Sequence, residues 1–269
     1  MLSAMRWKQL ATASVLLSAA LALPDWAAPP RKVGFTLRGV PQTLYLYEAD
    51  IRKPDVSTVV VVSGDGGWHG FIAEIAEYLA GRGYPAIGVD AKEYLESLSK
   101  PKALEPAQVT GDFGTIARFA REQTGARTIV LAGWSEGAGL VVLGGLDPAG
   151  RADLRGVVAI GLPELNELAW RWSDSVIYVT KKVPNEPTFN SKDFVGRLTP
   201  IPLMVIQSTH DDFVPLATAR EIFGRAQEPK QIVFIEARDH RFEGERPAFW
   251  QALDRALGWF EQLATQRPR

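Results

Sequence analysis

Short, almost continuously apolar runs alternate with longer segments of helical periodicity along most of this 269-residue chain. The runs Val59–Val62 and Ile129–Ala132 contain only aliphatic residues, as expected of strands that are covered on both faces of a parallel sheet. In the segment 71–82, apolar residues instead recur at the spacing of one helix face. Strands that alternate with helices predict βαβ units, and therefore an α/β fold with a mostly parallel central sheet and helices on both faces.

Eight strands are predicted, at 33–38, 43–47, 58–63, 85–89, 128–133, 156–160, 202–207 and 231–236. Five helices are predicted, at 71–82, 106–124, 135–145, 216–226 and 246–265. The turn Gly39–Gln42 joins the first two strands and predicts an antiparallel hairpin at one edge. We expect residues 31–265 to form a single domain.

The segment 165–190 breaks the alternation, because it contains two tryptophans and two prolines without a clear period. An insertion here would lie over the carboxyl ends of the strands, where sites form in open α/β sheets. We interpret it as a small cap. An extra edge strand with surface loops is the alternative.

The N-terminus has the features of a secretory leader. Arg6 and Lys8 precede a short apolar run without charges. Small residues of the kind that precede a signal-peptidase cleavage site then occur up to Ala22 and again up to Ala28. We therefore expect a signal peptide at 1–22, or cleavage as late as residue 28, and export to a bacterial periplasm. An uncleaved anchor is the alternative, although the run falls short of a membrane span of about 20 residues.

Composition excludes several classes of protein. The 30 Lys and Arg residues balance 31 Asp and Glu residues without a cationic block, which argues against a nucleic-acid partner. The absence of cysteine excludes disulfides, thiolate metal sites and a cysteine nucleophile. The three histidines (His69, His210 and His240) are too sparse for a histidine metal cluster, so we expect neither a metal nor a cofactor.

A G-x-S-x-G pentapeptide, Gly133–Gly137, follows an apolar strand and opens a helix of small residues. In the α/β-hydrolase fold this setting exposes a nucleophilic serine on a sharp turn, and the glycines permit close approach of the backbone. The alternative is a glycine-rich helix start with a capping serine. The context favours the first interpretation and makes Ser135 the predicted nucleophile.

The loop after the strand at 202–207 supplies the predicted acid. A serine hydroxyl needs a base, the base needs an orienting group, and in this fold the order along the chain is Ser, acid, His. Two candidates are adjacent, Asp211 and Asp212. We favour Asp211 because it stands four residues before Pro215, in the D-x-x-V-P pattern common after this strand.

The loop after the strand at 231–236 supplies the predicted base, His240. It lies where the fold requires the last member of a triad. His210 belongs to the loop of the acid, and His69 lies at the start of the first helix. We expect both of these histidines to be structural.

A glycine-rich loop, Ser63–Trp68, follows the strand at 58–63. It occupies the place of the esterase loop whose backbone N–H groups hold the negative charge of the transition state. We expect the N–H of Asp65 or Gly66, together with that of Glu136, to form this oxyanion hole. The glycine spacing fits neither G-x-x-x-x-G-K-[ST] nor G-x-G-x-x-G, which argues against phosphate binding by the loop.

The stretch Val60–Trp68 resembles the signature of the AcvB/VirJ family of bacterial virulence-associated α/β-hydrolases. The other matching stretches are Gly88–Asp90, Gln207–Asp212 and Asp239–Phe242, and the resemblance covers roughly residues 55–262. The chain departs from the family pattern at Trp134 and Glu136, where tyrosine and phenylalanine are expected.

The resemblance implies a periplasmic protein that hydrolyses aminoacylated phosphatidylglycerol, such as lysyl-phosphatidylglycerol, and is linked to type IV secretion and virulence. It also implies nucleophile, acid and base at Ser135, Asp211 and His240. The carboxylates of Asp65 and Glu136 would then favour a cationic acyl group, unless they are paired structurally or point to solvent.

We therefore expect a serine hydrolase that cleaves a small-molecule or lipid ester through an acyl-enzyme. Lys181 and Lys182 are candidates for contact with a phosphate headgroup. Peripheral contact with membrane lipid and an exported protein partner are further expectations. The alternatives are an acyltransferase with the same triad and a non-catalytic binding protein linked to secretion. The candidate pocket residues, for which packing is the alternative, are Trp68, Trp134, Trp170 and Trp172.

Overall fold

The computed structural model describes residues 29–49, 51–52, 54–170 and 187–266. The strands of this part of the chain are β1 (Arg31–Leu37), β2 (Val40–Tyr47), β3 (Thr58–Val62), β4 (Ala86–Val89), β5 (Ile129–Trp134), β6 (Leu154–Ile160), β7 (Leu165–Glu167), β8 (Thr188–Asn190), β9 (Leu203–Ser208) and β10 (Lys230–Ile235). Its α-helices are α1 (Phe71–Gly81), α2 (Ala91–Leu98), α3 (Pro106–Thr124), α4 (Glu136–Gly144), α5 (Leu216–Arg225) and α6 (Arg246–Gln266). Two short 3-10 turns cover Ser191–Asp193 and Val195–Arg197.

Eight of these strands form one sheet in the order β1-β2-β4-β3-β5-β6-β9-β10. Strand β2 runs antiparallel to both of its neighbours, whereas the strands from β4 to β10 in this order pair in parallel. The predicted α/β architecture is confirmed, and each of the eight strands predicted from the sequence lies in this sheet. Because the parallel strands end at one edge, the loops after β3, β5, β9 and β10 meet there.

Two hydrophobic layers cover the faces of the sheet. Helices α2, α3, α4 and α5 pack on one face, and α1 and α6 pack on the other. Every residue of β3 is buried, which explains why its sequence is continuously aliphatic rather than alternating. The central strands are thereby held between two helical layers, so the loops at their ends start from fixed positions.

The hairpin of β1 and β2 is tighter than the sequence predicted. Arg38 and Gly39 form a two-residue turn with φ angles of 51° and 81°, and Leu37 pairs directly with Val40. Positive φ at both turn residues is the geometry of a type I′ turn, which matches the twist of the flanking strands. The predicted turn at Gly39–Gln42 was therefore wrong in its bounds.

Helix α2 is absent from the sequence-based prediction. The Asp90 carboxylate accepts the backbone N–H of Glu93 at 3.0 Å and caps the helix. A helix start of this kind is signalled by Asp followed three residues later by Glu. The helix has only eight residues, which made its single apolar face easy to overlook.

The two ends of the segment 165–190 pair with each other. Strands β7 and β8 form a separate antiparallel sheet, and neither joins the edge of the large sheet. The described ends of the segment therefore do not form an extra edge strand of the large sheet. Residues 171–186 of the candidate cap and the predicted signal peptide at 1–22 lie outside the described residues. No helix in the described part of the chain is both long enough and apolar enough to cross a membrane.

Candidate active site

Ser135 stands on a strained turn between β5 and α4. Its φ and ψ angles are 56° and −124°, a conformation that residues with a side chain rarely adopt and that costs about 1–3 kcal/mol. The turn is held by two backbone hydrogen bonds, from the N–H of Ser135 to the carbonyl of Ile160 at 2.9 Å and from the N–H of Ala138 to the carbonyl of Ser135 at 2.8 Å. The hydroxyl is thus presented at the carboxyl edge of the sheet.

The two glycines of the pentapeptide are required by contact distances. A Cβ on Gly133 would lie 2.1 Å from the carbonyl oxygen of Gly137, and a Cβ on Gly137 would lie 2.4 Å from the carbonyl oxygens of Val62 and Ser63. No side chain fits at such distances, so the turn can close against β3 only with glycine at both positions.

His240 and Asp211 form a buried hydrogen-bonded pair. Nδ1 of His240 donates to Oδ2 of Asp211 at 2.6 Å, and their side chains are 5% and 0% exposed. Oδ1 of Asp211 accepts the backbone N–H groups of Phe213 and Val214 at 2.9 and 2.8 Å. Burial alone would raise the pKa of Asp211, but the bond and charge of His240 and the two N–H groups together lower this pKa below its ordinary value.

A second donor reaches the oxygen of Asp211 that binds the histidine. Nε2 of Gln207, at the end of β9, lies 3.0 Å from Oδ2 of Asp211 and also contacts the carbonyl oxygens of Ser208 and Val214. Three acceptors around this nitrogen fix the orientation of the amide. Its Oε1 is buried without a hydrogen-bond partner among the described residues, a costly arrangement for a polar atom.

The imidazole of His240 is enclosed on several sides. The indole N–H of Trp134 donates to the backbone carbonyl oxygen of His240 at 3.1 Å. The ring centroids of Trp134 and Phe213 each lie 5.3 Å from the centroid of the imidazole. Gly161 has a φ of 57°, and a Cβ there would lie 2.6 Å from Cε1 of the imidazole. Because Nδ1 binds Asp211, Nε2 is the ring nitrogen left to act as a base, and it has no hydrogen-bond partner among the described residues.

The loop Ser63–Trp68 is attached to helix α2 at two points. The hydroxyl of Ser63 accepts the backbone N–H of Ala91 at 2.9 Å, and the N–H of Trp68 donates to Oδ2 of Asp90 at 3.0 Å. A Cβ on Gly64 would lie 3.1 Å from Cβ of Ser135, so the loop passes directly beside the serine.

A cavity of about 360 Å³ opens over the serine and the histidine. Both Ser135 and His240 line it, whereas Asp211 lies behind the histidine. A larger and more open groove of about 840 Å³, between β10 and α6, contains neither Ser135 nor His240. The remaining lining residues of the smaller cavity are Asp65, Trp134, Glu136, Pro163, Leu165, Glu167, Asp212, Phe213, Val214, Asp239 and Arg241.

Two of the three residues predicted to form the oxyanion hole line this cavity, Asp65 and Glu136. The backbone N–H of Glu136 belongs to the first turn of α4, where the N–H groups of a helix favour negative charge. Gly66 is exposed and is not among the residues that line the cavity. The position of the loop therefore favours Asp65 over Gly66.

Three carboxyl groups form one wall of the cavity, which we call the acidic wall: Asp65, Glu136 and Glu167. Oε1 of Glu136 accepts the backbone N–H of Glu167, in β7, at 2.7 Å. Burial, followed by the charges of Glu167 and Asp65, raises the pKa of Glu136 well above its ordinary value. No group of three histidine or carboxylate side chains in the described ranges is arranged to hold a metal ion.

Of the tryptophans predicted to line the pocket, the structure places one at the cavity and two elsewhere. Trp134 lines the cavity. Trp68 does not; it stacks on Tyr45 with ring centroids 5.3 Å apart and donates to the hydroxyl of Tyr47. Trp170 is 3% exposed in the hydrophobic core, beside the ammonium of Lys92. For Trp68 and Trp170 the pocket prediction was wrong, because both rings are used in packing.

His69 and His210 lie outside the cavity and contact the backbone carbonyl groups of Gly66 and Ala237, both at 3.1 Å. Asp212 lines the cavity, but Asp211 is the residue that binds His240. Trp172 lies outside the described residues, as do Lys181 and Lys182.

Sequence reasoning missed Glu167 and Arg241. Arg241 could have been noticed because it directly follows the predicted base. Glu167 carried no such signal, since β7 has only three residues and belongs to a segment without a period.

The sheet order, the strained serine and the loops at one edge define a protein of the α/β-hydrolase fold, and solved structures agree. The chain is similar to Est1E from Butyrivibrio proteoclasticus, with 14% identity, a TM-score of 0.60 and coverage of 88% of this chain and 100% of that one. The α/β hydrolase GrgF from Penicillium has 14% identity, a TM-score of 0.65 and coverage of 87% and 99%. A putative dienelactone hydrolase from Klebsiella pneumoniae has 19% identity, a TM-score of 0.64 and coverage of 87% and 98%.

Residues 56–172 match the family model of the bacterial virulence protein VirJ, so the resemblance to this family is confirmed across that part of the chain. The match contains the Ser63–Trp68 loop and the serine pentapeptide. It ends before Asp211 and His240, so it is narrower than the resemblance seen in the motifs. No curated protein matches the sequence.

Proposed function

We propose that this protein is a serine hydrolase that cleaves an ester through an acyl-enzyme. The observation that carries the proposal is the buried Asp211–His240 pair, whose remaining ring nitrogen has no partner among the described residues while His240 shares a cavity with Ser135. Strain at Ser135 supports it, because backbone strain of this kind persists where the surrounding structure fixes a functional side chain.

The proposed reaction has two halves. Oγ of Ser135 attacks the carbonyl carbon of the ester while Nε2 of His240 takes the hydroxyl proton, and the alcohol then leaves with that proton. Water next attacks the acyl-enzyme, gives a proton to Nε2 and releases the acid, and the proton returns to Oγ. The backbone N–H groups of Glu136 and Asp65 hold the carbonyl oxygen while it carries negative charge.

We propose aminoacyl-phosphatidylglycerol, with lysyl as the acyl group, as the substrate. The acidic wall supports this assignment, since carboxylates beside the nucleophile attract an acyl group that carries ammonium groups. The VirJ match supports it through the resemblance noted above. Two exposed apolar side chains at the cavity, Leu165 and Phe213, provide surface for the hydrocarbon part of a lipid.

We also propose export to the periplasm, supported by the leader-like features of the N-terminus. Cell fractionation with an antibody, and the mass of the recovered protein, test this proposal. A full-length protein in the cytoplasm would contradict both export and cleavage.

The hydrolase proposal is tested by labelling with a fluorophosphonate, which reacts with activated serines. The wild type is expected to be labelled and Ser135→Ala is not, while His240→Ala is expected to be labelled far more slowly. Ser57→Ala is the control, because Ser57 lies just before β3, at the opposite edge of the sheet. Equal labelling of wild type and Ser135→Ala would remove the nucleophile, and an unlabelled wild type would favour a binding protein.

Product analysis separates hydrolysis from acyl transfer. With lysyl-phosphatidylglycerol as substrate, a hydrolase releases free lysine whether or not glycerol or another alcohol is added. An acyltransferase would instead accumulate the lysyl ester of the added alcohol. Turnover of short-chain nitrophenyl esters alone would contradict the lipid assignment.

A further inference from the structure

One arginine stands at a cavity that is otherwise rich in carboxylates. Arg241 directly follows His240 and is the only lysine or arginine among the described residues that line the cavity. The acidic wall belongs to other elements, namely the loop after β3, the start of α4 and strand β7. Two further lining carboxylates lie on the loops after β9 and β10, Asp212 and Asp239.

The backbone that carries Arg241 is fixed on both sides. Oδ1 of Asp239 accepts the backbone N–H groups of Arg241 and Glu243 at 2.9 and 3.0 Å. Phe242 is fully buried with a φ of 58°, and its ring lies 4.8 Å from that of Phe249. Arg241 therefore occupies a defined place at the rim and is not part of a loose surface loop.

The guanidinium of Arg241 forms no hydrogen bond or ion pair with any residue that the structure describes. Other arginines are used in the fold; for example, Arg38 pairs with Asp112 at 3.0 Å and Arg246 pairs with Glu74 at 2.6 Å. Five N–H donors are thus available at the cavity, in the planar arrangement that suits the oxygens of a phosphate group.

The proton transfers of the proposed reaction indicate which half of the ester would contact the guanidinium of Arg241. In the proposed reaction His240 gives its proton to the oxygen of the leaving alcohol, so its loop adjoins the alcohol half of a bound ester, and Arg241 belongs to that loop. We propose that Arg241 is a binding site for an anionic phosphodiester on the alcohol half of the ester. This inference rests on the proposed function for the orientation of the substrate, and it adds a second charged subsite on a different loop from the residues of the acidic wall.

The two subsites together select an ester with opposite charges at its ends, a cationic acyl group and an anionic alcohol. Leu165 and Phe213, 41% and 38% exposed, lie at the same cavity and suit the hydrocarbon chains attached beyond the phosphodiester. A neutral alcohol would leave the guanidinium without its partner and would lose this part of the binding energy.

Binding to the Ser135→Ala protein tests the proposal without turnover. The probe is dihexanoyl-phosphatidylglycerol below its micelle concentration, titrated by calorimetry, with uncharged dihexanoylglycerol as the matched ligand. Adding Arg241→Gln is expected to weaken binding of the phospholipid about tenfold, equivalent to about 1.4 kcal/mol, and to leave the uncharged lipid unaffected. Arg238→Gln is the control, because Arg238 lies three residues earlier on the same loop and lines the larger groove instead.

Glycerophosphoglycerol, the same headgroup without chains, shows whether the phosphodiester alone suffices; weaker binding that still depends on Arg241 supports the site. Three results would overturn it: no binding of the phospholipid, equal affinity with and without Arg241→Gln, or an equal loss in Arg238→Gln. The measurement is independent of catalysis. A protein that binds through Arg241 but hydrolyses no ester contradicts the proposed function alone.

Discussion

Oε1 of Glu136 accepts the backbone N–H of Glu167 at 2.7 Å, so the residue after the serine is tied directly to the first strand of the small sheet. The bond joins residues that lie 31 positions apart in the chain and connects strand β7 to the start of α4. This bond also places a buried carboxyl group where no positive charge compensates it among the described residues.

Replacing Glu136 with glutamine is expected to stabilise the protein at neutral pH. Burial raises the pKa of Glu136 in the folded state, so ionisation destabilises the native protein as pH rises from the ordinary pKa of a glutamate toward the higher native pKa. Glu136→Gln keeps an acceptor for Glu167 and removes the charge. We expect a gain of about 1–3 kcal/mol at pH 8 and no gain at pH 4, measured by urea unfolding.

Glu122→Gln, on the exposed side of α3, is the control for Glu136→Gln. It should leave the pH dependence of unfolding unchanged. An equal gain at pH 4 and pH 8 would contradict the electrostatic explanation and point to packing.

Glu167→Gln is expected to reduce selectivity for cationic acyl groups. Removing one carboxylate from the acidic wall should raise KM for lysyl-phosphatidylglycerol about five- to tenfold, or about 1 kcal/mol, with kcat little changed. Short-chain neutral esters should be hydrolysed as by the wild type. Glu164→Gln is the matched control, because Glu164 pairs with Lys192 and does not line the cavity. A parallel loss on both classes of ester would show a structural effect.

The adjacent aspartates provide a test of the triad. Asp211→Asn should lower kcat by about 10³- to 10⁴-fold, since an amide does not hold the imidazole in the required tautomer. Asp212→Asn should change kcat less than tenfold, because Asp212 does not bind His240. Steady-state kinetics on a nitrophenyl ester measure both. Equal losses in the two variants would refute the assignment.

Gln207→Leu is expected to lower kcat about tenfold with KM unchanged, because it removes a donor to Oδ2 of Asp211. It also takes a donor away from the carbonyl oxygens of Ser208 and Val214, so the free energy of unfolding should fall by about 1–3 kcal/mol. Gln207→Glu should not rescue kcat, because a second carboxylate beside Asp211 repels it. Urea unfolding and steady-state kinetics on the folded variant measure the two effects separately. A wild-type kcat in the folded variant would contradict the role of Gln207 in positioning Asp211.

A methyl group at Gly88 tests the packing that supports the loop Ser63–Trp68. A Cβ there would lie 2.2 Å from the ring of Trp68, so Gly88→Ala should cost about 1–3 kcal/mol and reduce activity by displacing the loop. Gly34→Ala on β1 meets nothing within 4 Å and should be nearly neutral. Thermal unfolding and ester turnover compare the two. Equal stability would contradict the close contact.

Much of the fold followed from the sequence because burial on both faces leaves a strong pattern. The aliphatic run of β3 and the bounds of α3 were predicted nearly to the residue. The serine, its glycines and the order of the three loops were also readable, since backbone geometry demands particular residues there.

Other features depend on tertiary contacts that leave no local pattern. Trp68 was predicted to line the pocket, but its ring stacks on Tyr45 and packs against Gly88. Tyr45 and Gly88 are neighbours only because β2 pairs with β4. Glu167 lines the same cavity as the serine, in a strand whose partner β8 lies more than twenty residues further along the chain. Neither relationship is visible from neighbouring residues in the chain.

The backbone of Gly161 lies against the carbon edge of the His240 ring, with aromatic rings on two further sides. An imidazole confined in this way is held in one orientation beside Asp211. The bond between Ser135 and Nε2 of His240, which the structure does not contain, would then have to form through movement of the serine side chain and not of the imidazole.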